Sequence, residues 1–192
     1  MSTKDFVVNL GATGNVKCVS YHGPMHRTLE RCRADLRAAR AAVSPTEADA
    51  SISGRWSAAG ILEHLDLSYT GTTRAIERRL EKGRPLERRP MTVRQRIDRV
   101  LLLRMGGLFY RPREAPAAIV PTGRRFRELD AVIEPHLLVL DQRLKQAALA
   151  FGTRAAVAAH PFLGPCSVAD WRRFHRWHTR HHVRQIGSQP AG

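Results

Sequence analysis

A chain of 192 residues, 43% hydrophobic and 26% charged, has the size and balance of one ordinary globular domain. Its 32 basic residues against 17 acidic ones give a formal charge of +15 and an isoelectric point near 11.3. No apolar run approaches the roughly 20 residues of a membrane-spanning helix, and the opening residues lack the long apolar core of a signal peptide. The expectation is a cytoplasmic protein with no membrane partner.

The basic excess does not by itself mean nucleic acid. Only Lys4, Lys17, Lys82 and Lys145 are lysines, and arginine supplies the rest. Together with abundant alanine, that skew follows from GC-rich coding. The arginines are spread through every segment, with small knots at Arg78-Arg79, Arg88-Arg89 and Arg124-Arg125, and aromatics make up only 6%. A nucleic-acid module concentrates its basic residues and interleaves aromatics, so nucleic acid is not the expected partner. Cys18, Cys32 and Cys166 are odd in number and form no CxxC pair, which fits a reducing compartment and buried, inert thiols.

Residues 1–21 carry no helical period and read as a poorly ordered N-terminal extension. From His22 to residue 187 the pattern is helical, leaving 188–192 as a tail. Met25, Leu29, Cys32, Leu36, Ala39 and Val43 form a single apolar stripe, halted at Ser44-Pro45-Thr46. Trp56-Ser57 reads as a hydrophobic residue before an N-cap. It opens a second helix with Ile61, Leu65, Ser68, Thr72, Ile76 and Leu80 inward, ended by Gly83 and Pro85.

A third helix from Thr92 is expected to bury Val93, Ile97, Val100, Leu101, Met105 and Leu108. Pro112, Pro116, Pro121 and Gly123 then mark a loop of functional length. The fourth helical stretch carries Phe126, Leu129, Ile133, Leu137, Leu140, Leu144, Ala148 and Phe151, with a kink or break expected at Pro135. Ser167 with Asp170 three places on caps a last helix that runs to about Ile186. No strand is expected outside the extension. The fold class is all-α, four long helices and a shorter piece.

Four of the nine histidines crowd into eight positions: His175, His178, His181 and His182. Residues four apart share a helix face with Cβ atoms roughly 5–6 Å apart, so His178 and His182 can aim two imidazoles at one point. Trp171, Phe174 and His178 continue one apolar face, whereas His175 and His181 drift to its solvated edges. His64, between Ile61 and Leu65 and four before Ser68, faces the bundle interior from its own helix. Three neutral imidazoles buried without partners are costly. A shared divalent metal satisfies all three and leaves a position for water or substrate, as in catalytic sites. Glu63 points about 100° away from His64 and is not expected to act as the base. Gln185 fits a hydrogen-bond partner behind the histidines.

These segments resemble a known family. Trp56-Ser57 with Glu63-His64-Leu65 resembles the opening of the DinB/YfiT-like superfamily. His160-Pro161-Phe162, Gly164-Pro165, Ser167 and Trp171 resemble a loop and helix start of its DUF-type branch. His178-x-x-x-His182-x-x-Gln185-Ile186 is similar to that branch's closing motif, and Ala115-Pro116-Ala117 with Pro121 to its mid-chain loop. The resemblance covers about residues 25 to 187. It implies a DinB-like four-helix bundle with a divalent ion, zinc or nickel, on His64, His178 and His182. Characterised relatives include S-transferases and an isomerase that depend on a low-molecular-weight thiol: mycothiol, bacillithiol or glutathione. Others are taken as metal-dependent hydrolases, and some have lost the metal. The resemblance therefore implies a metal-dependent transferase or hydrolase acting on a small-molecule substrate. Its alternative is a helical binding or stress-response module without turnover. A homodimer is compatible with either reading.

Overall fold

A computed structural model describes residues 23–44, 47–51, 54–87, 90–106 and 114–187. The extension at 1–21, the tail at 188–192, and Cys18, Leu108 and Pro112 lie outside these residues. Five α-helices dominate: α1 (Arg27–Ala41), α2 (Ala58–Glu81), α3 (Val93–Arg99), α4 (Phe126–Phe151) and α5 (Val168–Gly187). A π-helical stretch, Val100–Arg104, continues α3, and a 3₁₀ turn, Ala117–Ile119, lies between α3 and α4. Among the described residues the protein is thus mainly α, with one small sheet.

The long helices form where the apolar stripes run. In α1, Leu29, Cys32 and Leu36 are fully buried. In α2 every inward position from Ile61 to Leu80 is buried, and the Ser57 hydroxyl accepts the Gly60 amide at 3.0 Å as the cap. Gly83 follows the helix at φ +62, a conformation that glycine takes without a Cβ clash. Leu129, Ile133, Leu137, Leu140 and Leu144 of α4 are fully buried, each contributing roughly 1.5–3 kcal/mol of transfer free energy. α2 packs most extensively on α4, and α1 on α5, while α2 also touches α5.

Three local expectations need correction. First, α4 runs unbroken through Pro135. Proline deprives the carbonyl four residues back of its partner, but here that residue, Ala131, is exposed, so water can replace the bond. Buried Ile133 and Leu137 on the opposite side hold the helix together.

Second, a hairpin exists where no strand was expected. β1 (Ala156–His160) pairs antiparallel with β2 (Gly164–Ser167), in the register Ala158 opposite Cys166 and His160 opposite Gly164, with an irregularity between Ala156 and Ala158. Its three-residue loop is organised by His160, whose Nδ1 accepts the amides of Phe162 at 3.1 Å and Leu163 at 3.3 Å. β1 is alanine-rich and its first three residues are all buried, so it lacks the alternation that announces a strand.

Third, the expected inner stripe of α3 faces outward. Val93, Ile97, Val100 and Met105 are exposed, Leu101 is half-buried, and Asp98, Leu102 and Leu103 are buried instead. The π stretch explains part of this: the Met105 amide reaches back five residues to the Val100 carbonyl at 3.1 Å. A wider turn shifts the phase of the face. Arg99 also anchors α3 to the hairpin side, donating to the Pro165 carbonyl at 2.9 Å and to Asp170.

Candidate metal centre

α5 begins where Ser167 and Asp170 exchange hydrogen bonds. The Asp170 amide donates to the Ser167 hydroxyl at 3.2 Å, and the Ser167 amide donates to the Asp170 carboxylate at 2.9 Å. That cap sets the rotation of the helix. Trp171 and Phe174 turn inward, and the Phe174 ring stacks on His178 with centroids 4.9 Å apart. One turn further, His182 stands beside His178, ring centroids 4.6 Å apart. From α2, His64 meets both, at 4.9 Å from His178 and 4.6 Å from His182.

The expected trio therefore converges. One nitrogen from each ring falls within 4.8 Å of the others. The Nε2 atoms of His64 and His178 are 3.0 Å apart. A tetrahedral ion with metal–nitrogen bonds of about 2.0–2.1 Å sets its ligand nitrogens roughly 3.4 Å apart, inside that range. No other group of three or more potential ligands clusters in this way among the described residues.

Two of the rings are pinned from behind. His64 Nδ1 donates to the Ile119 carbonyl at 2.7 Å, and His182 Nδ1 donates to Gln185 Oε1 at 2.7 Å. A neutral imidazole carries one proton, so each Nε2 keeps its lone pair. This is the orientation seen in metal-ligating histidines, whose other nitrogen is held by an outer acceptor. His178 Nδ1, by contrast, is buried without a hydrogen-bond partner among the described residues. Burial lowers the pKa of all three rings. Burial, with a smaller contribution from the neighbouring His64, brings His182 to about 3. The cluster is neutral at physiological pH, as ligands must be.

Sequence comparison adds the family. The family described as protein of unknown function (DUF1569) matches residues 29–189. The chain belongs to this family. The DUF1569 span contains His64, His178 and His182, together with the residues that pin them. Neither the curated proteins nor the solved structures give a significant match.

Within the DUF1569 domain, some neighbouring residues differ from expectation. His175 does not sit on a solvated edge: it is fully buried, with Nε2 3.2 Å from the Thr72 hydroxyl. α5 is covered by α1 on one side and α2 on another, so the edge of its apolar face is enclosed too. His181 is exposed, as expected, and accepts from the Gln185 amide at 3.3 Å. Gln185 thus bridges His181 and His182. Cys32 and Cys166 are buried thiols pushed up to about 12 by burial, which leaves them protonated and inert.

Glu63 has a role the sequence did not reveal. Its buried carboxylate accepts from the Thr122 hydroxyl at 2.6 Å and from the amides of Gly123 and Arg124 at 3.0 Å each. Burial works against its charge, but these donors outweigh it and hold the carboxyl below its ordinary value. Glu63 and His64, adjacent on α2, therefore fasten the segment from Ile119 to Arg124 at both ends. Trp56 closes another side, its ring 4.9 Å from that of His64.

Proposed function

We propose that His64, His178 and His182 hold one divalent ion, zinc or nickel, with a coordination position left open for a small molecule. The observation that carries this reading is the pinned pair. Ile119 and Gln185 each take the Nδ1 proton of a histidine and leave Nε2 directed at the common centre. Among the described residues no fourth histidine, cysteine or carboxylate joins the cluster, which favours a reactive site over a closed structural one. A divalent ion supplies a thiolate or hydroxide near neutral pH by lowering the pKa of the bound thiol or water.

The protein's own part is to keep three imidazoles neutral, orient two of them, and wall the site with Trp56, Phe174 and the strap of residues 119–124. On this reading the domain is a DinB-like four-helix bundle and a thiol-dependent S-transferase-type enzyme. The likeness of its motifs to that superfamily supports the assignment, as does the pairing of α2 with α4 and of α1 with α5.

The test is elemental analysis of tag-free protein purified without chelator, beside His178→Ala. The expected result is about one zinc or nickel per chain, lost in the variant while its helical circular dichroism persists. Metal-free protein that also fails to take up added zinc or nickel overturns the proposal.

A further inference from the structure

Beside Trp56 lies a half-open pocket of about 490 Å³ lined by Ser51, Arg55, Trp56, Arg124 and Arg125, with Asp49 as its one acid. Resting on the metal-site reading, we infer that this cavity is the anion-recognition subsite of the same active site. It selects small organic substrates or co-substrates that carry a carboxylate or phosphate at the end remote from the reacting group.

The charges of the lining support this. Asp49 is already engaged: it accepts the first amide of α4, from Phe126, at 2.8 Å, and sits 3.6 Å from Arg125. Arg124 is held by buried Asp66 at 3.1 Å. Arg55 is exposed and forms no ion pair among the described residues, and the Arg125 side chain is 76% exposed. Of the arginines lining the pocket, Arg55 therefore has no carboxylate partner among the described residues and Arg125 only a loose one, and planar guanidinium groups match carboxylate and phosphate geometry.

The position ties the cavity to the histidines. Gly60 of its lining lies one helical turn, about 6 Å, before His64 on α2. Trp56 belongs to both: it lines the cavity and packs against the His64 ring. The site is closely packed at Gly60, where a Cβ would crowd the Trp56 Cβ at 3.3 Å and touch Pro121 at 3.8 Å. A flexible molecule of several atoms anchored at Arg55 and laid along the exposed edge of Trp56 places its other end at the cluster.

The probes are 6-mercaptohexanoate and the neutral 6-mercaptohexan-1-ol, added at constant ionic strength to the full chain loaded with cobalt(II). Binding is read from the thiolate-to-cobalt absorption band. The acid is expected to bind roughly tenfold more tightly than the alcohol, the worth of a hydrogen bond to a charged group. Arg55→Met should abolish that preference without changing the affinity for cobalt or for the alcohol. Arg78→Met, at the far end of α2, should leave the preference intact; this separates the subsite from the general pull of a +15 chain.

Equal affinities for acid and alcohol overturn the inference, and so does a preference that survives Arg55→Met combined with Arg125→Met. Displacement of the acid by inorganic phosphate shows a subsite that reads charge alone, and resistance to displacement shows one built for carboxylate. If cobalt itself does not bind, the metal reading fails. The subsite is then decided on metal-free protein by the amide shifts of Gly60 and Gly123 with phosphate. Shifts lost in Arg55→Met sustain it, and no shift removes it.

Discussion

A histidine can be a ligand, a core residue or a surface residue, and what decides is the partner of its second nitrogen. In this chain Ile119 and Gln185 supply that partner for His64 and His182, Thr72 meets His175, and the amides of the hairpin loop meet His160. Outer-shell partners of metal ligands are typically worth 10–100-fold in metal affinity. Gln185→Leu is therefore expected to weaken zinc binding within that range and to leave folding unchanged, measured by competition with a chromophoric chelator. Unaltered affinity would make Gln185 an ordinary helix-end residue. The i,i+4 spacing of His178 and His182 and the inward position of His64 were legible in the sequence, because both follow from helical periodicity. The burial of His175 was not: it depends on how closely α1 and α2 enclose α5. Nor was the role of Glu63, whose partners lie about 60 residues away in the chain.

At the scale of elements, the four long helices follow their apolar stripes, since each stripe is continuous and matched by another. α3 departs because it is two turns long, runs into a π-helical stretch and is held by Arg99 rather than by its leucines alone. Local periodicity carries no information about either feature. The hairpin was hidden for a different reason, its buried alanines reading neither as strand nor as helix. Where the π stretch ends, Gly106 takes φ +68 beneath Trp177, and a Cβ there would meet the indole at 2.5 Å. Gly106→Ala thus combines a left-handed backbone with a steric overlap. It is expected to cost about 1–3 kcal/mol, the usual range for overpacking. Thermal denaturation reads this as a lower midpoint, and Trp177→Ala in the same chain should relieve the steric part while the backbone part remains. A Gly106→Ala variant as stable as the wild type would contradict both the overlap and the backbone strain at this position.

For the whole molecule, the buried histidines make stability depend on acid. Burial brings His175 and His182 to about 3 and His160 to about 4, below the ordinary 6.5. Between those values and 6.5 the unfolded chain binds protons that the folded chain refuses. The contribution is complete above pH 6.5 and is lost progressively as pH falls, by up to about 1.4 kcal/mol per pH unit for each histidine. Urea denaturation in the metal-free state should show stability falling steeply from pH 6.5 toward pH 4. A flat profile over that window would contradict the neutral, buried state of these rings. Bound metal steepens the loss, because protons then compete for the same nitrogens.

The double fastening of residues 119–124 also bears on how anything reaches the cluster. Swinging this segment away would break all three hydrogen bonds to the Glu63 carboxylate and free the ring of His64 to turn. Hydrogen bonds to a charged group are the stronger kind, and three of them would have to break together. The segment is therefore a fixed wall and not a door. Traffic to the histidines has to pass elsewhere, and the half-open indole of Trp56, with the arginines behind it, stands where a threshold would be.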